Sequence, residues 1–361
     1  GLLTFNIDAM RALYPKEYSF YPTSFTIPNQ LEEYIATFNK VQSTQSTQST
    51  ITGHKAASSM ESMESMDYSN NLWLMKPRAR CCGEGIRIIN NATQSADIVN
   101  PDLGEWYVQR FVSPPALIDG HKFVFRLFAL VTSFSPLRVQ LYHDGLIFYT
   151  FTEYTVANQT AKRSYISDYF FTEKQSDYYV LVQDYLTNLA QQTHYKTTTN
   201  HGGSGGGSGG GSSSKSQVGG EPQAKQLWDD IKSVVVKSLV ATLKWTGPME
   251  ATKSSPGTTY EIFGYDIVLD DDLNPFLCEI NETPNMGLEV NYHGDYNGLG
   301  EAIEQIDYDY KTRLMEATLS VADVEPRWGV DELKHIESEL IQLIDEEGLG
   351  CVVVNNAMVA G

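Results

Sequence analysis

The chain has 361 residues, of which 41% are hydrophobic and 20% are charged, and its formal net charge at pH 7 is −19. A chain of this length and composition is expected to form one large domain or two to three smaller ones with real cores. The acidic balance argues against a general nucleic-acid-binding protein, which needs a stripe of basic side chains. No run of about 18 apolar residues is present, so we expect no membrane span.

The N-terminal stretch and the cysteines bear on the cellular compartment in which the protein is expected. The chain starts without an initiating Met, which leads us to expect that preceding residues are missing, and it lacks the basic-then-apolar order of a signal peptide. No Cys-x-x-Cys or Cys/His spacing predicts a zinc site, so a reduced, intracellular compartment is expected. The four cysteines are Cys81, Cys82, Cys278 and Cys351.

Two low-complexity segments interrupt the chain. The first covers residues 43–70 and contains repeats of Ser-Thr-Gln and Met-Glu-Ser, and the second is rich in Gly and Ser over residues 201–216. Neither segment can bury enough apolar surface to offset the entropy lost on ordering. We therefore predict that both are disordered surface insertions, the second extending over residues 196–218 or so.

The segment between these insertions alternates apolar and polar residues as β-strands do. The predicted strands cover residues 71–77, 85–90, 105–112, 122–131 and 138–151. Within the last strand, His-Asp-Gly at residues 143–145 predicts a hairpin turn.

The C-terminal part of the chain contains two predicted helices. Apolar residues at helical spacing predict a helix over residues 223–245, and a second amphipathic helix over residues 330–348 ends at a glycine. The succession of strands, helix, hairpin and helix predicts a mixed α/β (α+β) fold with a largely antiparallel sheet.

A predicted hairpin at residues 263–281 lies between these helices, and its strands are joined by an acidic turn, Asp270 to Asp272, that we expect to be solvated. Glu279 and Asn281 are two residues apart in the second strand, so both side chains point to one face. Pairing of the strands would bring Asp266 to the same face. The hairpin therefore places acids where a core would need apolar residues.

These three side chains offer carboxylate and amide oxygens, which are hard ligands suited to Mg²⁺ carrying nucleotide phosphates. The other face of the hairpin is apolar through Tyr265, Ile267 and Ile280, which indicates that one face is buried. The alternative is a solvent-facing strand with scattered charge, and the spacing alone does not decide between the two.

A second pattern is Lys76 at the end of a predicted strand, followed by a loop that closes on Gly83, Glu84 and Gly85. An ammonium and backbone amides in this order could contact phosphates, since glycine permits a close approach of the backbone. The Gly-Lys-Ser/Thr of a Walker loop is absent. A plain glycine hairpin loop is an equally good interpretation of this stretch alone.

A third pattern is the pair of cations Lys122 and Arg126, which are four residues apart in a predicted strand and so share one face. Phe123 and Phe125 occupy the other face. No carboxylate is close by in the sequence, so an anionic ligand is one interpretation of the two cations. The alternative is that both side chains extend to solvent along the strand surface.

Taken together and in this order, these pieces resemble the tubulin tyrosine ligase-like family of ATP-grasp amino-acid ligases. The stretches that carry the resemblance are residues 18–28, 73–88, 106–146 and 263–284. The resemblance implies an ATP-grasp fold with antiparallel sheets flanked by helices. It assigns residues 1–42 to the end of an N-terminal domain, 71–109 to a central domain and 110–361 to a C-terminal domain.

The resemblance also implies an activity. Members of the family use ATP and Mg²⁺ to activate a carboxylate as an acyl phosphate, which an amine then attacks. Most of them add glutamate to glutamate side chains, so tubulin or microtubule C-terminal tails and free glutamate are the expected partners, without nucleic acid or membrane. The expected location is the cytoplasm and cytoskeleton, including the cilium or flagellar basal body.

The same resemblance assigns roles to single residues. Asp266, Glu279 and Asn281 would hold Mg²⁺, and catalytic roles fall to Glu279 and to Arg126, which would lie near the incoming amino acid together with His143. Lys76 and Lys122 would contact phosphates, and residues 109–111 would hold adenine mostly through backbone groups. The residues expected to bind ATP are Lys76, Gly83, Glu84, Gly85, Ile86, Gln109, Arg110, Phe111, Lys122 and Asn281.

Some positions depart from the family's pattern. Val124 replaces an acid, and His143 and Phe148 stand where arginines are usual, while a His-Leu-Thr-Asn motif is recognisable only loosely at residues 165–168. The amino-acid pocket is thus altered although the ATP and metal residues are retained. A non-catalytic ATP- or microtubule-binding protein is the alternative of another class. A ligase for glycine or tyrosine, or for a non-tubulin acceptor, is also open.

Overall fold

The computed structural model describes residues 2–50, 71–77, 85–90, 105–155, 164–169, 181–191, 220–251, 260–286 and 299–321. The chain divides into two compact units, Gly1–Asp307 and Tyr308–Gly361, and of the second unit only residues 308–321 are described. The Gly/Ser-rich insertion at 201–216 and the predicted helix at 330–348 lie outside the described residues.

The described part of the chain contains five helices and ten strands, and none of these helices is long and apolar enough to cross a membrane. In chain order the elements are α1 (Leu2–Leu13), β1 (Ser24–Ile27), α2 (Leu31–Thr50), β2 (Trp73–Pro77), β3 (Arg87–Ile89), β4 (Trp106–Arg110), β5 (Leu117–Ile118), β6 (His121–Phe134), β7 (Leu137–Thr150), β8 (Ser167–Tyr169), α3 (Val182–Gln191), α4 (Glu221–Ala251), β9 (Glu261–Leu269), β10 (Pro275–Asn281) and α5 (Leu299–Val321).

The strands form two sheets. A four-stranded sheet has the order β1-β4-β2-β3, and a six-stranded sheet has the order β10-β9-β6-β7-β8 with β5 paired to β6. Every strand pair in these sheets is antiparallel. The predicted mixed α/β fold with antiparallel sheets and flanking helices is confirmed.

One face of the six-stranded sheet forms the main core. Alternate residues of β6, β9 and β10 point to this face, where they pack with the buried stripe of α4. The predicted helix at 223–245 is thus confirmed within α4, and the opposite face of the sheet is left for polar side chains. The core residues include Phe123, Phe125, Tyr265, Ile267 and Leu277 from the strands and Ile231, Val235 and Leu239 from α4.

The four-stranded sheet packs one face against α2. Trp73 and Met75 of β2 are fully buried there, in contact with Tyr34 and Phe38 of the helix. Because side chains alternate along a strand, the neighbours in sequence of these two residues, including Lys76, point to the other face. Each sheet is therefore covered by a helix on one side and carries its polar residues on the other.

Helix α2 extends into the segment that we expected to be disordered. The prediction of disorder is wrong for residues 43–50, which continue the helix that begins at Leu31. The helix is anchored by Tyr34, Phe38 and Val41, which recur at helical spacing and are buried. The Ser-Thr-Gln repeats that follow contain neither Pro nor Gly, so nothing in them stops the helix.

The hairpin turn predicted at residues 143–145 is also wrong. Strand β7 runs through these residues without a break, and the turn between β6 and β7 lies at Ser135 and Pro136. The residues before Gly145 form an irregularity in the pairing with β6. Asp144 uses its carboxylate there to accept hydrogen bonds from the amides of Gly145 (2.8 Å) and Gln183 (3.0 Å), the latter in the first turn of α3.

Candidate active site

The hairpin of β9 and β10 brings its polar side chains together on one face. Asp266 lies directly opposite Glu279, and Gly264 lies opposite Asn281. The Asn281 amide nitrogen donates to the carbonyl oxygen of Gly264 at 3.4 Å, which leaves the amide oxygen as the atom that could bind a cation. Tyr265 and Ile267 are fully buried on the other face, as strand alternation predicts.

The acidic turn of this hairpin is only partly solvated. Asp271 and Asp272 are exposed, but Asp270 is partly buried and its carboxylate accepts hydrogen bonds from the backbone amides of Asp272 (3.1 Å) and Asn274 (2.7 Å). Burial raises the pKa of Asp270 from its ordinary value, while the bonds from Asn274 lower it. The expectation of a solvated turn therefore holds for two of the three acids, and the third organises the turn.

Arg126 is paired with a carboxylate that is remote in sequence. Its Nε atom donates to Oδ1 of Asp266 at 2.5 Å, and its Nη2 atom donates to Oδ2 at 3.0 Å. The two residues are direct neighbours across β6 and β9. Both side chains are largely shielded from solvent, at 22% and 16% exposure. Arg126 therefore does not extend to solvent, and it reaches the acid that we predicted to bind a metal.

Two of the three positions that depart from the family's pattern, Val124 and Phe148, place apolar groups on the Arg126 side of this ion pair. The guanidinium of Arg126 lies over the ring of Phe148, at 5.3 Å from its centre. Val124 is the cross-strand neighbour of Phe148. It packs beside Cys278 on a buried cluster that includes Val268. An apolar surface thus adjoins the acidic pair.

Lys122 is held by a residue that was not among the predicted site residues. Its ammonium donates to the hydroxyl of Ser167 at 2.9 Å and lies 5.9 Å from the centre of the Phe111 ring. Both β6 and β8, which supply Lys122 and Ser167, belong to the six-stranded sheet. The loosely matched motif at 165–168 was the only signal in the sequence for this contact.

Lys76 and Gln109 form the corresponding contact on the four-stranded sheet, where they extend from β2 and β4. The ammonium of Lys76 donates to Oε1 of Gln109 at 3.2 Å. Because an ammonium only donates, this contact fixes the amide oxygen on that side. The Nε2 atom of Gln109 is buried and has no hydrogen-bond partner within the part of the chain that the structure describes. A buried donor of this kind is costly unless a ligand supplies an acceptor.

The backbone amides next to Gln109 bond to protein groups. Arg110 donates to the carbonyl oxygen of Thr23 at 2.8 Å, and Phe111 donates to that of Leu72 at 2.9 Å. Both amides are thus already paired, and the adenine contact of residues 109–111 stays a prediction. The side chain of Gln109 offers a buried donor beside them.

Cys278 shows that the charged groups of both sheets converge. The thiol lies at an irregularity between Leu277 and Glu279 in β10. Burial raises its pKa above the ordinary value; nearby Lys76 and Lys122 lower that pKa, whereas Asp266 and Glu279 raise it. Two cations and two acids from β2, β6, β9 and β10 therefore act on a single atom, which places them around one region of the protein.

The remaining predicted site residues are Gly83, Glu84, Gly85, Ile86 and His143. Gly83 and Glu84 lie outside the described residues, whereas Gly85 has a φ of +78° and Ile86 follows it directly. His143 is exposed, and its ring lies 4.5 Å from that of Tyr142 at an interplanar angle of 56°. Within the described ranges no three His, Cys, Asp or Glu side chains form a metal cluster, because the hairpin set includes an amide.

Comparisons with known proteins identify a family and several relatives. The family model described as "Tubulin-tyrosine ligase family" matches residues 2–296. The chain is 27% identical over 285 residues to "Tubulin monoglutamylase TTLL4" of Homo sapiens, covering 78% of this chain and 20% of that protein. It is 29% identical over 291 residues to "Probable tubulin polyglutamylase TTLL9" of Mus musculus, covering 71% of this chain and 54% of that protein.

A third relative is also covered only in part. "Probable beta-tubulin polyglutamylase" of Tetrahymena thermophila is 27% identical over 294 residues, which cover 79% of this chain and 21% of that protein. The chain thus spans between a fifth and about half of the length of these curated relatives.

Proposed function

Since the chain belongs to the tubulin-tyrosine ligase family, we propose that it is an ATP- and Mg²⁺-dependent ligase that joins a free amino acid, glutamate, to glutamate side chains of tubulin tails. The observation that carries the proposal is the pairing of Asp266 with Glu279 across the hairpin, with Lys76 and Lys122 close enough to Cys278 to lower its pKa. Cations for phosphates beside acids for a metal are what phosphoryl transfer needs. The names of the relatives favour glutamate and tubulin.

The hairpin residues fit a magnesium ion by their chemistry. Asp266, Glu279 and Asn281 offer oxygen atoms from one face, and Mg²⁺ prefers oxygen ligands. When bound, the ion would neutralise the negative charge that develops during phosphoryl transfer. The role of the hairpin is to hold its three side chains on one face by strand pairing.

The residues of the four-stranded sheet, together with Lys122, fit a nucleotide. The Nε2 atom of Gln109 is a buried donor that a nitrogen of the base would satisfy. Lys76 and Lys122, together with the loop from Gly83 to Ile86, would contact the phosphates. Gln109 is therefore expected to orient the base, and the two lysines to orient the phosphates.

The reaction would proceed in two steps. An oxygen of the activated carboxylate attacks the terminal phosphorus of ATP, which forms an acyl phosphate and releases ADP. The amine then attacks the acyl carbon, loses a proton and expels phosphate as the amide bond forms. Arg126 would stabilise negative charge near the acyl group, provided that its guanidinium is released from Asp266.

An ATP-turnover assay tests the proposal. We expect ADP release that requires Mg²⁺, a free amino acid and tubulin together, with glutamate giving the highest rate. Turnover with glycine or tyrosine instead of glutamate would identify that amino acid as the substrate. Binding of ATP without turnover under every combination would favour the alternative, a non-catalytic ATP- or microtubule-binding protein, which the apolar Val124 and Phe148 beside Arg126 support.

Replacing Gln109 by Met tests the assigned base contact. The two side chains have similar volume, but Met offers no donor, so we expect ATP to bind roughly tenfold more weakly, or about 1.4 kcal/mol. Calorimetry would measure the change. Inorganic tripolyphosphate has no base and serves as the control: it reports any effect that reaches the phosphates through Lys76, which Gln109 binds, so its affinity should fall less than that of ATP. An unchanged affinity for ATP would show that Gln109 does not contact the base.

Binding of an acidic tubulin-tail peptide tests the acceptor. The chain has a net charge of −19, so such a peptide needs a local basic groove to bind. We expect its affinity to fall severalfold between roughly 50 and 300 mM salt, as electrostatic contacts are screened. Affinity that is independent of salt, or a lack of binding at low salt, would favour a non-tubulin acceptor.

The proposed location is the cytoplasm and cytoskeleton, including cilia.

A further inference from the structure

Arg126 lies between a carboxylate and an aromatic ring. Its Nε and Nη2 atoms bond both oxygens of Asp266, and the flat guanidinium lies over Phe148 at 5.3 Å from the ring centre. An arginine can make both contacts at once because its donors point outward in the plane while its faces stack. The ring and the carboxylate therefore fix the same position of the guanidinium.

This arrangement affects the carboxylate as much as the arginine. A divalent cation bound beside Glu279 needs at least one oxygen of Asp266, and both of those oxygens accept hydrogen bonds from Arg126. The cation and the guanidinium are both positive, so each opposes the other at this carboxylate. Binding of the cation and retention of the ion pair are thus competing events.

We propose that Phe148 is a positioning residue that holds Arg126 on Asp266 until a divalent cation displaces it. The proposal rests on the metal site of the proposed function. Loading of the metal then releases the guanidinium toward anionic groups of the substrate, so the arginine becomes available only when the metal is present. Phe148 sets the strength of this coupling, because its ring favours the paired position of the guanidinium.

The neighbours of Phe148 support this role. Val124 lies opposite it across β6 and β7 and contributes only methyl groups to the surface beside the guanidinium. Arg126 and Phe148 extend from adjacent strands of one sheet, so their approach is set by strand pairing. The ring is therefore a fixed surface under the guanidinium.

Binding of Mn²⁺ alone to the full chain, measured by the electron paramagnetic resonance of the free ion, tests the proposal. Replacing Phe148 by Leu keeps an apolar side chain but removes the ring, so Mn²⁺ should bind roughly fivefold more tightly, or about 1 kcal/mol. Phe148→Tyr keeps the ring and should match the wild type. Equal binding by the wild type and Phe148→Leu, including no binding by either, contradicts the role of Phe148.

A double-mutant cycle separates this role from a general structural one. Arg126→Gln removes the competitor and should tighten Mn²⁺ binding further, and adding Phe148→Leu should then change nothing. The same gain in both backgrounds would show that the ring acts without Arg126 and would overturn the proposal. Asp266→Asn is the reference for the metal site. If the wild type binds Mn²⁺ and Asp266→Asn binds it equally well, the metal assignment itself fails.

Discussion

Replacing Glu279 by Gln is expected to reduce ligation by at least about a hundredfold, which corresponds to roughly 3 kcal/mol of transition-state stabilisation. The variant removes one negative charge and keeps the size of the side chain. Its partner across the hairpin, Asp266, already bonds Arg126, so Glu279 contributes the more available carboxylate for a cation. The loss should appear in turnover and in Mn²⁺ binding alike.

The fold should be unaffected by this change. Glu279 is exposed, so the free energy of unfolding is expected to stay within about 0.5 kcal/mol of the wild type. Glu282→Gln is the matched control, since this exposed glutamate follows β10 and should keep full activity. Ligation and thermal unfolding would be measured on both variants. Activity retained by Glu279→Gln would show that this residue is not a ligand of the metal.

Replacing Gly145 by Ala is expected to destabilise the fold by about 2–4 kcal/mol. An added Cβ atom would lie 2.5 Å from Cδ2 of Leu127 and 2.7 Å from the carbonyl oxygen of Arg126. The second contact is with backbone, so a change of rotamer cannot relieve it. Strand β6 would have to move, and Arg126 would move with it.

The effect would be measured by urea denaturation together with ligation at a temperature where the variant is folded. His143→Ala is the control, because His143 lies in the same irregular part of β7 but is exposed, and its stability should stay within about 0.5 kcal/mol of the wild type. A similarly small change for Gly145→Ala would contradict the close packing of β6 and β7 at this point.

Features that depend on alternation along one strand could be predicted from the sequence. Strand alternation correctly separates Phe123 and Phe125 from Lys122. In the hairpin of β9 and β10, alternation places Glu279 with Asn281, but it does not by itself bring Glu279 opposite Asp266. An irregularity at Cys278 shifts the register by one residue and produces that pairing.

Features that depend on pairing between distant strands could not be predicted. Arg126 and Asp266 are 140 residues apart, and their contact exists because β9 inserts beside β6 in the sheet. The contact of Lys122 with Ser167 likewise needs β8 at the edge of that sheet. Turn propensity failed at residues 143–145 because an Asp-Gly pair suits an irregularity beside a helix start as well as a hairpin.

The two lysines are each held by a residue of their own sheet, Lys76 by Gln109 and Lys122 by Ser167. A displacement of one sheet relative to the other therefore breaks neither contact. Separation of the two sheets would instead cost the contact of Lys122 with the ring of Phe111, which follows β4. Because each ammonium keeps the hydrogen bond that orients it, a nucleotide meets cations that are already positioned, which lowers the entropic cost of binding.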